Sequence, residues 1–383
     1  MKITIVLGAF FPVPPTMGGG VEKVWFALAP QFAKRGHEVV MISRRMSDQA
    51  REEIIDGVRH LRVNGFNTPR SLIWLKFLDF VYSRRVMSIL PVADILVTNT
   101  FWLPILNRGS RYGRVYVQVA RYPKGQMRLY RNAARLQAPS HAVARAIAAE
   151  AAHLAEKVAV VPNPAPVSIA TAVPPQIADR DKIVLYVGRV HPEKGVHLLV
   201  DAFARGTATA FSDWKLMIVG PTETKFGGGG SEYLSILKRS AGTGDDRVSF
   251  AGSIFDPATL EKTFRSARLF VYPSLAERGE SFGLAPLEAM THGCAVLVSK
   301  LDCFGDFIRD GESGFVFDHR SANPEESLRK KMETVVRDEA LLARVAESGR
   351  RKSSEYSPSR VAELFIADFS SLIQDADIPN KNR

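Results

Sequence analysis

The chain of 383 residues is 46% apolar and carries 51 Lys and Arg against 40 Asp and Glu, a formal net charge of +11. It is too long for one small core and long enough for two domains. Its two cysteines, Cys294 and Cys303, exclude a disulfide scaffold, lack the partners of a metal site and read as cytosolic thiols.

Met1-Lys2 leads directly into an apolar strand, Lys2–Leu7, without the basic, apolar and small-residue regions of a secretion signal. Further strands are predicted at Glu38–Ile42, Asp94–Thr98 and Arg114–Val119, with helical periodicity between them. The most apolar stretch, Ser71–Val97, is interrupted by Lys76, Asp79, Arg84, Arg85, Pro91 and Asp94 and falls short of the roughly 20 apolar residues that span a bilayer. Pro162–Pro175, with five prolines and little charge, marks a break midway along the chain. Beyond it come strands at Ile183–Val187, Lys215–Val219, Val248–Ala251, Leu269–Tyr272 and Ala295–Ser299. Strands alternating with helices give parallel sheets covered by helices, so the fold is read as α/β, two Rossmann-like domains with a cleft between them. Gly227–Gly230 reads first as a surface insertion, and Asp245-Asp246 as a helix-to-strand turn.

The charge is uneven. Residues 1–170 hold 23 Lys and Arg against 10 Asp and Glu, whereas residues 171–383 hold 28 against 30. Between Arg70 and Arg135 there are 12 basic residues and two acidic ones, Asp79 and Asp94, interleaved with aromatics. Several of Arg84, Arg85, Arg108, Arg111, Arg114, Arg128, Arg131 and Arg135 are expected to form one basic face on the acceptor side. Such a surface suits an anionic membrane or a lipid-linked phosphate; a nucleic-acid partner would also match the charge, but no nucleic-acid module is present. Trp74, Phe77 and Phe80 are individually assigned to the core.

Two strand-to-helix turns in the second half carry chemistry. After Leu185-Tyr186-Val187-Gly188, Arg189 and Lys194 flank a turn into a helix, where two cations can clamp a diphosphate as it becomes a leaving group. After the strand Leu269–Tyr272, Glu280 and Glu288 bracket Ser281-Phe282-Gly283-Leu284-Ala285-Pro286-Leu287. Backbone N–H groups at such a helix start suit a phosphate, and each carboxylate can accept hydroxyls of a sugar or a ribose. These turns lie at the carboxyl ends of strands, where open α/β sheets bind ligands. His191 and His292 nearby are read as structural, and no metal site is expected.

Together these segments resemble the large glycosyltransferase family 4, retaining enzymes of GT-B architecture, and the resemblance covers nearly the whole chain. Gly18-Gly19-Gly20-Val21-Glu22 is similar to the family's N-terminal glycine loop, Val160-Val161-Pro162-Asn163-Pro164 to its inter-domain linker, and Ser274 to Gly293 to its donor motif. The resemblance implies an N-terminal acceptor-side domain over 1–165, a C-terminal nucleotide-sugar domain over 166–356, and a terminal helix within 357–383 packing back on the first. It further implies that Glu280 contacts the donor sugar, Glu288 the ribose, and Arg189 and Lys194 the diphosphate together with the backbone of Phe282, Gly283 and Leu284. Gly18, Gly19 and Gly20 would lie near the phosphates and the acceptor, with Glu22, Arg121 and Tyr122 on the acceptor side. The family's frequent His after an N-domain strand is missing from Arg114–Pro123, where Arg121 or Tyr122 takes its place. The implied activity is metal-free, cofactor-free transfer from a UDP- or GDP-sugar to a lipid-linked glycan or glycolipid, on the cytoplasmic face of a membrane. A soluble-acceptor transferase, a nucleotide-sugar epimerase and a degenerate binding protein are alternatives on the same scaffold.

Overall fold

The computed structural model describes residues 1–17, 19–165, 174–206, 210–242 and 246–377. Gly18, Asp245 and most of the Pro162–Pro175 break lie outside them. The chain divides into two compact units, Met1–Ser168 with Tyr356–Arg383, and Ile169–Glu355.

The first unit is built from β1 (Lys2–Val6), α1 (Gly20–Lys34), β2 (Glu38–Arg45), β3 (Glu52–Ile55), β4 (Val58–Asn64), α2 (Leu72–Met87), β5 (Ile95–Thr98), α3 (Leu103–Leu106), β6 (Arg114–Gln118), β7 (Arg135–Ala138), α4 (His141–Glu150) and β8 (Val158–Val160). Its eight strands run in the order β3-β4-β2-β1-β5-β6-β7-β8. All pair in parallel except β3 with β4. Helices cover both faces of a parallel sheet, so its strands are apolar throughout rather than alternating: β5 is buried at every position and β1 at all but its first. The antiparallel exception is a hairpin absent from the strands predicted above. Ile55 pairs with Val58 across Asp56-Gly57, both at positive φ (50° and 79°), the geometry of a two-residue primed turn.

The second unit comprises β9 (Asp181–Val187), α5 (Val196–Gly206), β10 (Lys215–Val219), α6 (Gly230–Ala241), β11 (Val248–Gly252), α7 (Pro257–Ser266), β12 (Ala267–Tyr272), α8 (Leu284–Thr291), β13 (Ala295–Ser299), β14 (Phe315–Phe317), α9 (Pro324–Arg337) and α10 (Glu339–Ser354). Its sheet, β11-β10-β9-β12-β13-β14, is parallel throughout.

The last helix, α11 (Pro358–Asp377), belongs to the first unit. Val361, Ala362, Phe365, Phe369 and Leu372 recur at helical spacing and are buried. Phe365 packs 5.1 Å from Trp25 and Phe369 4.9 Å from Tyr116 (ring centroids). Between them Asp368 accepts the Tyr116 hydroxyl at 2.8 Å and pairs with Arg135 at 2.8 Å. Arg135 is thus spent holding α11 and is not among the arginines free to form a basic face; the other seven named with it are exposed.

A second correction concerns α2. Trp74, Phe77 and Phe80 are 58%, 52% and 36% exposed, so none is core. The helix turns Asp79, Tyr82, Ser83 and Val86 inward instead. The Asp79 carboxylate accepts the backbone N–H groups of Phe101 and Trp102 at 3.0 and 3.1 Å, the turn that opens α3. Those N–H groups have no other acceptor at a helix start, and satisfying them fixes the rotation of α2 at the expense of burying its aromatics.

Candidate active site

In the second unit, the β9–α5 turn is set by glycine. Gly195 has φ +66°, and a Cβ there would run into the carbonyl of Pro273 at the end of β12. Only glycine permits that approach, and it brings the two strand-to-helix turns together. Leu275 N–H donates to the Glu193 carbonyl at 2.8 Å across the same seam.

The charged residues meet at this junction. Lys194 Nζ lies 2.7 Å from Glu280 Oε2, with the two side chains 8% and 12% exposed. Ser274 Oγ donates to the same oxygen at 3.3 Å, and the ammonium stands 5.6 Å from the centroid of the Tyr272 ring. Tyr272 stacks on Tyr186 at 5.7 Å, and the Tyr186 hydroxyl donates to the Arg189 carbonyl at 2.8 Å. Burial, reinforced by the Glu280 charge, holds both phenols well above their ordinary pKa, so they act as neutral donors.

Arg189 is half-exposed. It donates to the Gly227 carbonyl at 2.8 Å and pairs with Glu193. Partial burial pushes the Glu193 carboxyl up, and the hydrogen bond and charge of Arg189, with Lys194 and His191, more than offset it, leaving the group below its usual range. The glycine run is therefore no plain insertion. Gly229 N–H donates to the Val190 carbonyl at 2.8 Å, and a Cβ on Gly228 would collide with the Thr222 backbone, so the run closes against the Arg189 turn.

The donor-motif residues follow on α8. Phe282 is buried and packs 5.4 Å from Phe307. Gly283, at φ +96°, precedes the helix, and a Cβ there would strike the Phe304 ring. Leu284 opens α8, whose first-turn N–H groups have no intrahelical acceptor; Pro286, in that turn, has none to offer. Glu288 is half-buried one turn further on. The structure therefore gathers Arg189, Lys194, Glu280 and the α8 start at the carboxyl edge of the second sheet. Gly227, from the glycine run, joins them, as do Glu193, Ser274, Tyr186 and Tyr272, which were given no role from sequence. Only Glu193 carried a legible signal, at four residues from Arg189. His292 is buried and stacked on Phe264 at 5.4 Å; burial lowers its pKa to about 4, as befits a structural histidine.

In the first unit, Gly19 (φ +94°) precedes α1, and a Cβ there would overlap the Glu22 carboxylate. Glu22 is only 4% exposed. Burial raises its pKa, against its own backbone N–H and the charge of Arg121. Arg121 is exposed after β6, and Tyr122 packs against the core. Glu22 and Arg121 therefore share one electrostatic environment at the carboxyl edge of the first sheet. Among the described residues no three His, Cys, Asp or Glu side chains cluster as a metal ion requires, and no helix is long and apolar enough to cross a membrane.

Comparison with known proteins matches the description Glycosyl transferases group 1 to residues 171–352 and Glycosyltransferase Family 4 to residues 18–168. Over 186 residues the chain is 32% identical to a phosphatidyl-myo-inositol mannosyltransferase of Mycobacterium leprae (strain TN), covering 48% of this chain and 45% of that protein. Over 140 residues it is 34% identical to a lipopolysaccharide 1,2-N-acetylglucosaminetransferase of Salmonella typhimurium, covering 36% and 35%. The chain thus matches less than half the length of these curated relatives. Among solved structures, sucrose-phosphate synthase from Thermosynechococcus elongatus superposes with a TM-score of 0.76 at 19% identity, covering 98% of this chain and 100% of that one. HepE of Anabaena, solved with UDP and glucose, gives 0.70 at 19% identity over 97% and 100%. Such identities speak for the fold, two parallel α/β sheets of GT-B type. With the two family descriptions running in tandem over nearly all of residues 18–352, the chain belongs to glycosyltransferase family 4.

Proposed function

We propose that the chain is a retaining glycosyltransferase that moves a sugar from a UDP- or GDP-sugar to a hydroxyl of a lipid-linked glycan or glycolipid in cell-surface polysaccharide synthesis. The observation that carries this reading is the junction of Arg189, Lys194 and Glu280 beside the start of α8. Charge builds on the diphosphate as the glycosidic bond breaks, and a fixed pair of cations with helix-start N–H groups meets it where it forms. A divalent ion is not needed in this scheme, nor a cofactor. Glu280, held by Lys194 and Ser274, faces the sugar, and Glu288 receives the ribose hydroxyls. The leaving phosphate takes the acceptor proton, which makes the family's absent histidine dispensable; Arg121, with Glu22 and Gly18, Gly19 and Gly20, is assigned to the acceptor. The lipid-linked acceptor is supported by the relatives named for phosphatidyl-myo-inositol and lipopolysaccharide. The exposed arginines of the first unit suit the cytoplasmic face of an anionic membrane.

Proton NMR of the first product tests the mechanism. The new linkage should keep the donor's anomeric configuration, and an inverted anomer removes the chain from the retaining class. Activity should survive EDTA, and a strict magnesium requirement contradicts the metal-free scheme. Alanine at Arg189 or Lys194 should lower kcat more than it raises KM, because those cations act on charge that is largest in the transition state.

A further inference from the structure

The outward face of α2 is apolar. Leu72, Ile73, Trp74, Phe77 and Phe80 are 76%, 82%, 58%, 52% and 36% exposed, a concentration of large apolar side chains within nine residues. Ile73, Phe77, Phe80 and Arg84 follow one another at helical spacing on the side opposite Asp79, Tyr82 and Val86. Trp74 and Phe77 pack edge to face at 5.5 Å, as do Phe80 and Trp102. Contiguous exposed apolar surface of this kind marks an interaction site.

The charge around the stripe names the occupant. Lys76, Arg84 and Arg85 are exposed on the same helix and Arg70 just before it, while the one carboxylate of the helix, Asp79, is turned into the core. A second copy would bring two basic faces together, which like-charge repulsion opposes. Basic residues flanking Trp, Phe, Leu and Ile on an exposed helix match the boundary between anionic headgroups and acyl chains. The position fits as well. α2 follows β4 and leads into β5, so its first turns sit at the carboxyl edge of the first sheet, the edge that also carries Gly19 and Arg121.

We infer that residues 72–80 of α2 insert into the headgroup–acyl boundary of an anionic bilayer, beside the edge at which a lipid-linked acceptor is presented. This rests on the transferase reading above and deepens it: attachment combines electrostatic adsorption with apolar insertion, and the insertion resists salt.

The test uses the full chain with vesicles of equimolar phosphatidylcholine and phosphatidylglycerol. At about 1 M salt the Debye length is near 3 Å and adsorption through charge is screened, so the protein left on the vesicles reports insertion. Trp25 and Trp214 are 0% and 4% exposed and give a constant background, whereas Trp74 and, to a smaller extent, the half-buried Trp102 packed on Phe80 should be quenched by brominated acyl chains, and Trp74→Phe should reduce that quenching. The triple variant Ile73→Ser, Trp74→Ser, Phe77→Ser should bind vesicles on the order of 100-fold more weakly at high salt. Unchanged nucleotide binding and an unchanged urea midpoint would show that the variant is folded. Complete release of wild type by salt without acyl quenching overturns insertion and leaves only adsorption through arginine. Wild type that binds no vesicle but transfers sugar to a soluble acceptor overturns the membrane partner and spares the transferase. A lipid-free dimer of wild type that the triple variant dissolves assigns the stripe to a second copy and overturns the inference.

Discussion

Replacing Lys194 by Met strands the Glu280 carboxylate in a site where the two side chains are 8% and 12% exposed. At their separation of 2.7 Å, and with an effective dielectric of about 20, the mutual attraction is roughly 6 kcal/mol. Withdrawing each ion from water costs several kcal/mol, so the intact pair contributes little net stability. Removing one partner is different, because the desolvation of the survivor is no longer offset, and the loss is about 3–5 kcal/mol. Lys194→Met should fall at the low end of that range, since the Ser274 hydroxyl still donates to Glu280. Glu280→Gln should also cost about 3 kcal/mol, as it leaves a buried ammonium without its counter-charge, facing a neutral amide and the Tyr272 ring. The double variant should return to within about 1 kcal/mol of wild type, a coupling energy of about 3 kcal/mol or more. Urea unfolding of the four proteins at neutral pH, followed by circular dichroism, measures the cycle. Single variants that each lose less than about 1 kcal/mol and add in the double would refute the claim that this is a desolvated, mutually dependent pair.

Glu288→Ala should weaken binding of the nucleoside diphosphate about 10- to 100-fold, from the roughly 1.5–3 kcal/mol of hydrogen bonds to a charged group; equal affinity by calorimetry would end the ribose assignment. Gly195→Ala should destabilise the second unit by about 2 kcal/mol or more, because φ is +66° and the Pro273 carbonyl fills the Cβ position; a urea midpoint like wild type's would show the turn to be less constrained than described. Burial raises Asp79 from 3.8 to about 6. A raised carboxyl favours the proton-bound fold, so its contribution is full below the unfolded pKa and is lost as pH rises through about 6. Asp79→Asn stays neutral and should match wild type near pH 4 yet exceed it above pH 7 by up to about 3 kcal/mol; a variant no more stable than wild type at the higher pH contradicts the cost assigned to the buried charge.

The α/β class was legible because the strands of a doubly covered sheet are continuous apolar runs, as in Leu269-Phe270-Val271-Tyr272, and need no long-range information. Gly195 and Gly283 were legible as turns, but not the reason for them, since the Pro273 carbonyl and the Phe304 ring come from elsewhere in the chain. The β3–β4 hairpin was missed although Asp56-Gly57 announced it, because Glu52–Ile55 is polar and short. The aromatics of α2 were misplaced for a different reason. Periodicity locates an apolar face without saying whether it turns inward, and here a carboxylate bonded to a loop 22 residues away decides the rotation. Arg135 and Gly227 likewise took their roles from partners far along the chain, Asp368 and Arg189.

The place of α11 governs how the protein can be made. Ala165 N–H donates to the Tyr356 carbonyl at 2.7 Å, so the chain returns to its first unit only after the whole of Ile169–Glu355 has been synthesised. Until then the sides of Trp25, Phe32 and Tyr116 that receive Phe365 and Phe369 have nothing to pack against. Translation from the N-terminus does not translate into folding from the N-terminus: the second unit has its full sequence on the ribosome before the first does, and the first stays sticky until the last helix emerges. Holding back those few turns leaves a nascent chain with an open apolar seam, a natural target for chaperones and for a protease that samples unfinished proteins.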